Sequence, residues 1–293
     1  MDTEPFGLLN VLKPPGMSSH DVVGYARRVL KTKRVGHAGT LDPAAAGVMT
    51  LAAGKATRLL GYVRDTKAYL AEVAFGLATD TVDAEGKAIA VADASGLTRE
   101  ALEAALPAFR GLITQRPPMT SAVHVGGKRL YELARAGVTL AEADIPTRQV
   151  TLHDLDLWDF VPGEQARARL FVRCSAGTYI RSLAVDIGAS LDLPACLAFL
   201  LRTEAGDCRL ESAQTLEELA EAGPRWMPME AWLAHIPRQD LDDHGVSEIR
   251  FGRRVPAVGL TGTPETVRLH GPDGHLIALA RPVGQLLQPT MVM

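Results

Sequence analysis

The sequence predicts an α+β fold, and three observations point to that class. Strand-type runs recur along the chain, for example at 6–12 and in the alternating apolar series of 69–75. Apolar residues with helical spacing lie between such runs. From residue 237 onward the chain consists of short β-type pieces separated by Gly and Pro. We therefore expect a mixed α+β body, residues 1–236, followed by a small β-rich domain, residues 237–293.

Local patterns justify the individual elements. A serine at 18 or 19 can cap a helix, because its side-chain oxygen accepts a hydrogen bond from the first helical turn, and Thr98 predicts a second helix start. Two β-type runs flank Pro162-Gly163, which favours a hairpin. The expected elements, in chain order, are a strand at 6–12, a helix after 18–19, a strand at 47–53, a helix-like segment at 55–63, a strand at 69–75, a helix at 98–106, a hairpin of 148–160 with 166–174, and a helix at 179–191.

Composition limits the function classes. The chain has 293 residues, 47% hydrophobic and 22% charged, as in globular proteins. No stretch approaches the ~18 apolar residues of a membrane-spanning helix, and the N-terminus has no basic-then-apolar leader, so we expect a cytoplasmic protein. The three cysteines include no Cys-x-x-Cys pair, which argues against a zinc site or a disulfide framework. Neither a phosphate loop nor a dinucleotide fingerprint is present, so no cofactor and no metal are expected.

The charge is unevenly distributed. The formal net charge is −3, yet residues 1–70 hold ten Lys or Arg against five Asp or Glu. The positive segment includes a cluster that could bind phosphates: Arg27, Arg28, Lys31, Lys33 and Arg34. A solvated helix face explains the cluster as well, so charge alone leaves nucleic-acid binding open.

Three motifs could carry chemistry. The first is Gly36-His37-Ala38-Gly39-Thr40-Leu41-Asp42-Pro43, in which glycines and a proline can present a carboxylate rigidly. The second is a strand that carries Tyr69, followed by an acidic loop at 79–86. The ring of Tyr69 could stack on a base. The third is 174–181, where Arg181 can hold a carboxylate ionised. Taken singly, each has an ordinary alternative: a turn or cap aspartate, a core tyrosine and a structural ion pair.

The ordered series of motifs resembles the bacterial tRNA pseudouridine-55 synthase family. The matching blocks run from residue 13 to about 203 in the family's order: Lys13-Pro14-Pro15-Gly16, the 36–43 and 67–69 motifs, the 79–86 loop, Gln115 to Ala122, Gly127 to Arg135, and Gly177 to Ser182. The tail around 251–255 and Gly274 is similar, more weakly, to the small RNA-binding PUA domain that ends these proteins.

This resemblance implies a fold, a reaction and a set of residues. The fold is a mixed, mostly antiparallel central sheet flanked by helices, with an RNA-binding cleft and a small β-barrel-like PUA domain. The reaction is the cofactor-free isomerisation of uridine 55 in the T-arm stem-loop of transfer RNA, by a stand-alone enzyme expected to be a monomer. Asp42 matches the nucleophile, Arg181 its arginine partner, and Tyr69 the active-site tyrosine. The implied RNA contacts are His37, Tyr179, Asp83, Lys13, Gly39, Leu201, Arg253 and Arg254.

The chain departs from the family pattern at two positions. Thr120 and His124 stand where an aromatic residue and a lysine are more frequent, which puts the detail of the substrate contacts in doubt. Three alternative functions remain. A non-catalytic RNA-binding or tRNA-folding protein on the same scaffold should lack Asp42 or Arg181. A guide-dependent relative should carry long basic extensions. A carboxylate-based hydrolase should have a second carboxylate at a defined separation, for which the 79–86 loop is the nearby candidate.

Overall fold

The computed structural model describes residues 5–121, 123–138, 140–260 and 262–293. Short 3-10 helices lie at Gly54–Tyr62, Leu106–Phe109, Glu142–Asp144 and Leu210–Ser212. The strands and α-helices of the described chain are, in order, β1 Gly7–Lys13, α1 Ser19–Val29, β2 Val35–Ala38, β3 Ala46–Ala53, β4 Lys67–Phe75, β5 Leu77–Thr79, β6 Ala88–Val91, α2 Arg99–Ala105, β7 Gly111–Gln115, β8 His124–Val125, β9 Lys128–Arg129, α3 Leu130–Arg135, β10 Arg148–Val161, β11 Arg167–Cys174, α4 Ile180–Ser190, β12 Ala195–Ala205, β13 Cys208–Arg209, α5 Leu216–Ala222, α6 Met229–Trp232, β14 Arg238–Asp240, α7 Asp243–Arg250, β15 Val255–Pro256, β16 Val267–His270, β17 Leu276–Val283 and β18 Leu286–Val292.

A nine-stranded sheet forms the centre of the body. Its main path runs β1-β3-β12-β4-β11-β10-β7, with β2 paired to β3 and β13 paired to β12. All pairings along this path are antiparallel except β3 with β12, which is parallel. This arrangement confirms the expected α+β class with a mostly antiparallel central sheet. The chain passes from β2 to β3 through the loop that carries Asp42, so the loop lies where two neighbouring strands end.

The two faces of this sheet differ because side chains alternate along each strand. On one face, alternate residues of β4 (Tyr69, Ala71 and Val73) join β11 and α4 in the largest hydrophobic core. On the opposite face, Glu72 of β4 pairs with Arg167 and Arg169 of β11 at 2.9 and 3.3 Å. Along β4 and β11 the sheet therefore has one buried face and one face with surface ion pairs, whereas β1 and β3 are buried on both faces.

The predicted helix starts are confirmed. Ser18 is the N-cap of α1, and its hydroxyl accepts from Asp21 N while Asp21 accepts from the Ser18 backbone. Thr98 caps α2 through the same kind of bond to Ala101 N. The apolar side of α1 packs on β1 and β3 in a second core. No described helix is long and apolar enough to cross a membrane.

The C-terminal segment forms a five-stranded half-barrel with the order β14-β16-β17-β18-β15. The expectation of short β-type pieces misses one element, because residues 243–250 form α7, capped by Asp242. The half-barrel also shares a core with the body. Leu279 of β17 and Met291 of β18 belong to the same apolar cluster as Leu59 and Trp232.

Candidate active site

Asp42 lies on a short loop, residues 39–45, that connects β2 to β3. Two side chains from the N-terminal segment fasten this loop. The Ser19 hydroxyl accepts from Leu41 N at 2.8 Å and donates to Leu41 O at 2.9 Å. The Lys13 ammonium donates to Pro14 O, Pro43 O and Ala45 O at 2.9, 3.0 and 2.6 Å. The backbone on both sides of Asp42 is therefore fixed by buried bonds, which holds its carboxylate in one place.

A fully buried arginine holds the same loop from the sheet side. Arg202 of β12 donates to Gly39 O at 3.2 Å, Thr40 O at 3.3 Å and Val48 O at 2.7 Å. Its strand lies so close to β3 that a Cβ at Gly47 would come within 2.2 Å of the Arg202 carbonyl oxygen. Because that glycine has a φ of +121°, both its conformation and the available space require it.

Arg181, in the first turn of α4, meets the Asp42 carboxylate. Its Nε lies 2.9 Å from Asp42 Oδ2, and its side chain is only 6% exposed. The rest of the guanidinium is also bonded: Nη1 donates to Thr81 O at 3.2 Å and to the Thr120 hydroxyl, and Nη2 donates to Thr120 O at 3.1 Å. Asp83 Oδ2 lies 3.7 Å from Nη1. The structure thus brings the three sequence motifs together at one point.

Opposing influences act on the Asp42 carboxyl. Its burial in the cleft is the largest and raises its pKa, and the nearby charge of Asp83 acts in the same direction. The guanidinium of Arg181 and the ammonium of Lys13 lower this pKa. The side chain itself is still 40% exposed, so a ligand in the cleft can reach it. Without Arg181 the carboxyl would therefore be much harder to ionise.

Tyr69 of β4 lies beside this pair with its side chain almost fully buried. Burial raises the pKa of its phenol to about 12, although the charge and hydrogen bond of Arg202 lower it. Tyr69 is consequently a neutral phenol at neutral pH. It can offer a ring face and a hydroxyl donor, and it can act as a base only if its proton is accepted during the reaction.

These residues form the floor of a cleft of about 1310 Å³. A volume of this size exceeds the roughly 300–1,000 Å³ of ordinary small-molecule pockets, so it has room for a nucleotide and its neighbours. The lining residues come from the 38–43 loop, the 60–65 segment, the 80–85 loop, the 119–121 segment, α3 and the 176–181 turn. Within the described part of the chain, no three His, Cys, Asp or Glu residues gather as metal ligands.

Tyr179 is held from two sides at the rim of the cleft. Its backbone N donates to Gln115 Oε1 at 3.0 Å, and its carbonyl oxygen accepts from Gln115 Nε2 at 3.3 Å. The guanidinium of Arg148 lies over the ring, 5.4 Å from its centroid. Tyr179 lines the cleft, where it can contact a ligand.

The remaining residues implied by the resemblance divide into two groups. Gly39 and Asp83 line the cleft with the three central residues, and His37 immediately precedes its first lining residue. Burial lowers the pKa of His37, so its imidazole is neutral. Lys13 is fully buried and supports the loop from within, so it does not offer a surface to RNA.

Leu201, Arg253 and Arg254 lie away from the cleft. Leu201 pairs with Leu70, on the sheet face opposite Tyr69, while its neighbour Leu200 pairs with Ala71 and lines the cleft. The two arginines belong to the C-terminal half-barrel segment. The sequence reasoning named Gln115 without a role and did not name Arg202, because the strand that carries Arg202 was not expected.

Comparison with known proteins shows the family of this chain. Residues 27–180 match the family described as TruB family pseudouridylate synthase (N terminal domain), and residues 236–293 match tRNA Pseudouridine synthase II, C terminal. The chain belongs to the TruB family of pseudouridylate synthases. A tRNA pseudouridine synthase B from Symbiobacterium thermophilum is 50% identical over 257 residues, which cover 87% of this chain and 85% of the relative.

Other relatives of this TruB-family chain extend the match. A tRNA pseudouridine synthase B from Moorella thermoacetica is 47% identical over 287 residues, covering 94% of this chain and 93% of the relative. Among solved structures, the crystal structure of a Cbf5–Nop10–Gar1 complex contains a chain that superposes with a TM-score of 0.74 at 26% identity. That superposition covers 98% of this chain and 84% of the other. The chain therefore has the pseudouridine synthase fold.

Proposed function

We propose that this chain converts uridine 55 in the T loop of transfer RNA to pseudouridine, with Asp42 as the reacting carboxylate. The observation that carries this proposal is the Asp42–Arg181 pair beside Tyr69 on the floor of the cleft, in a chain half identical to a tRNA pseudouridine synthase B. The 237–293 segment, proposed as a separate RNA-binding domain, adds phosphate contacts through Arg253 and Arg254.

The balance of the reaction suits this set of groups. The bond between uracil N1 and ribose C1′ breaks, the base turns, and a bond forms between C5 and C1′. C5 then loses its proton, and N1 gains one. Because no electrons are gained or lost overall, the reaction needs a nucleophile or base and a route for one proton, but no redox partner. Asp42 supplies the nucleophile or base. The proposed acceptor of the C5 proton is a nearby water, or Tyr69 if its own phenol proton passes to solvent in the same step.

Access to the glycosidic bond requires the uridine to leave its stack, at a cost of a few kcal/mol. The ring of Tyr69 offers the extruded base a surface worth roughly 1–3 kcal/mol. We assign His37, whose imidazole is neutral because burial lowers its pKa, to the gap that the extruded base leaves in the RNA loop. Tyr179, fixed between Gln115 and Arg148, supports the neighbouring nucleotide.

Arg181 makes Asp42 reactive at neutral pH. Burial alone raises the pKa of Asp42, and the guanidinium opposes that rise. The ionised carboxylate can attack C1′ or C6, or remove the C2′ proton to give a glycal, and all three routes use the same ion pair. The hydrolase rival would need Asp83 as its second carboxylate, and in this structure Asp83 faces Arg181 Nη1 at 3.7 Å.

We further propose that the enzyme acts alone as a monomer in the cytoplasm and without a metal or organic cofactor. A T-arm hairpin labelled with tritium at uridine C5 tests the proposed reaction, because isomerisation releases that label to water. Release should occur in EDTA from the hairpin and not from a hairpin with cytidine at position 55. An unstructured strand of the same sequence should react more slowly, since it must first be ordered. Tight hairpin binding without any release would favour a non-catalytic RNA-folding protein.

A further inference from the structure

We propose that the Thr120 hydroxyl is a positioning group for the reaction, because it holds the Arg181 guanidinium in the rotation that keeps Nε on Asp42. This inference rests on the proposed function, since it assumes that ionised Asp42 performs the chemistry. Thr120 precedes Ser121 in a loop between β7 and β8 and lines the cleft.

The contacts of Thr120 are directed at one side of the guanidinium. Its hydroxyl accepts from Arg181 Nη1, and its carbonyl oxygen accepts from Nη2 at 3.1 Å. The same hydroxyl lies 3.5 Å from Thr81 O, at the outer limit of a hydrogen bond that it can donate. Thr81 O also accepts from Nη1, at 3.2 Å. One hydroxyl therefore accepts from α4 and lies within reach of the 79–86 loop.

A competing partner explains why this rotation needs support. Asp83 Oδ2 is 3.7 Å from Arg181 Nη1, so the guanidinium is attracted to a second carboxylate. Turning toward Asp83 would lengthen the 2.9 Å contact between Nε and Asp42. Two bonds from Thr120, one to each terminal nitrogen, oppose that turn. Thr81 O on Nη1 and Thr120 O on Nη2 remain when the hydroxyl is removed, so the hydroxyl adds a second bond at Nη1, on the side that faces Asp83, and tightens the rotation of the planar guanidinium.

The bond between the Thr120 hydroxyl and Arg181 Nη1 depends on a residue in which this chain departs from the family pattern. Position 120 is one of the two departures from the family pattern, which more often has an aromatic residue there. A tyrosine hydroxyl stands several bond lengths farther from its Cα than a threonine hydroxyl. Hence the side-chain bond to Nη1 requires a short hydroxyl residue, while the carbonyl bond to Nη2 does not depend on the side chain.

The predicted effect appears in the pH dependence of the rate. The charged groups that face Asp42 are Arg181 from α4, Lys13 from β1 and Asp83 from the 79–86 loop, with the Tyr69 phenol beside it on β4. Arg181 lowers the pKa of Asp42, whereas burial and Asp83 raise it. If the guanidinium moves away, this pKa rises, and the acidic limb of the pH–rate profile moves to higher pH.

The test compares Thr120→Val, which keeps the shape and removes the hydroxyl, with Thr120→Ser, which keeps the hydroxyl. Tritium release from the T-arm hairpin is measured at saturating and limiting RNA from acidic to neutral pH. We expect kcat of Thr120→Val to fall about tenfold, as for the loss of one hydrogen bond to a charged group. The acidic limb of its pH–rate profile should move to higher pH, and its KM should stay near the parent's. Thr120→Ser should behave like the parent.

The possible results separate failure of this inference from failure of the proposed function. A folded Thr120→Val with the parent's kcat and pH profile overturns the inference, and so does a change confined to KM, which would mean that the hydroxyl contacts RNA. Thermal melting checks folding first, and Thr120→Ala, with the same expected loss, replaces a valine variant that does not fold. A parent protein that binds the hairpin and releases no tritium at all would instead contradict the proposed function.

Discussion

Two arginines next to the central sheet each face two carboxylates, in different surroundings. Arg173 of β11 contacts Asp154 and Glu204 at 3.0 Å each, and its side chain is 36% exposed. Arg181 contacts Asp42 at 2.9 Å and faces Asp83 at 3.7 Å, and its side chain is 6% exposed. Arg173 lies on the sheet face with surface ion pairs, while Arg181 lies on the floor of the cleft.

The difference shows what burial does to an ion pair. Water screens an exposed pair, which contributes about 0–1 kcal/mol. In the cleft the guanidinium is buried and water screens it less, so removing it leaves the partly desolvated Asp42 carboxyl without the charge that most lowers its pKa. Burial raises the pKa of Asp42, and its arginine partner opposes that rise. The comparison therefore predicts that equal substitutions at the two sites have unequal consequences.

The largest effect is expected at Asp42. Asp42→Asn keeps the shape of the side chain but removes the charge, so isomerisation should fall by at least about a thousandfold. Binding of transfer RNA should persist, because affinity comes mainly from phosphates, stacking and shape. Single-turnover tritium release with a parallel filter-binding assay measures both. Activity within about tenfold of the parent would remove Asp42 from the chemistry.

The next effect in size is expected at Arg181. Arg181→Met leaves the Asp42 carboxyl buried without its partner, so the rate should drop by roughly a hundredfold or more. The sign of the pH effect follows from the charges: loss of the guanidinium raises the pKa of Asp42, and the acidic limb moves upward. A pH–rate series on the folded variant measures the shift. A rate near the parent's with an unchanged profile would mean that the pair is only structural.

The sequence alone predicted the parts of this structure that depend on short-range patterns. Ser18 and Thr98 cap helices as expected, and the hairpin of β10 and β11 forms around Pro162-Gly163. In those cases the deciding interaction lies within a few residues along the chain. The family resemblance supplied Asp42, Tyr69 and Arg181, whose roles remain predictions, and the structure brings all three to one cleft.

The elements that the sequence did not predict depend on distant partners. The apolar run in 195–205 fits a helix or a strand equally well, and it becomes β12 because β4 and β3 flank it. With β12 missing, Arg202 could not be connected to the 39–45 loop, 162 positions earlier in the chain at Thr40. Likewise, only the structure shows that Leu200, rather than Leu201, lines the cleft.

A smaller effect, on affinity alone, is expected in the C-terminal half-barrel. Arg253 and Arg254 are exposed, bonded to Glu248 and Gln288 at 2.9 and 2.7 Å. Replacing both with Ala should weaken transfer-RNA binding and reduce the slope of log affinity against log salt by up to about 0.9 per lost phosphate contact. The value of kcat should not change, because the cleft is untouched.

Point variants suit this test better than deletion of 237–293. Leu279 and Met291 pack with Leu59 and Trp232 of the body, so a deletion would expose an apolar surface. Arg99→Ala is the control, since Arg99 on helix α2 is also paired, with Glu103 at 2.9 Å, and its side chain is 39% exposed. An unaltered affinity and salt slope in the double variant, measured by filter binding, would show that these two arginines do not contact the RNA.

The smallest effect is expected at Arg173, and it decides whether the comparison of the two arginines is sound. Arg173→Met removes contacts to two carboxylates, as Arg181→Met does, yet both carboxylates remain near solvent on the sheet surface. Unfolding free energy should fall by no more than about 1 kcal/mol, less at high salt, while kcat and its pH profile match the parent's. Denaturant unfolding and tritium release measure these two quantities. A loss of rate comparable to that of Arg181→Met would mean that exposure does not separate the two ion pairs, and that the chemistry depends on the whole sheet.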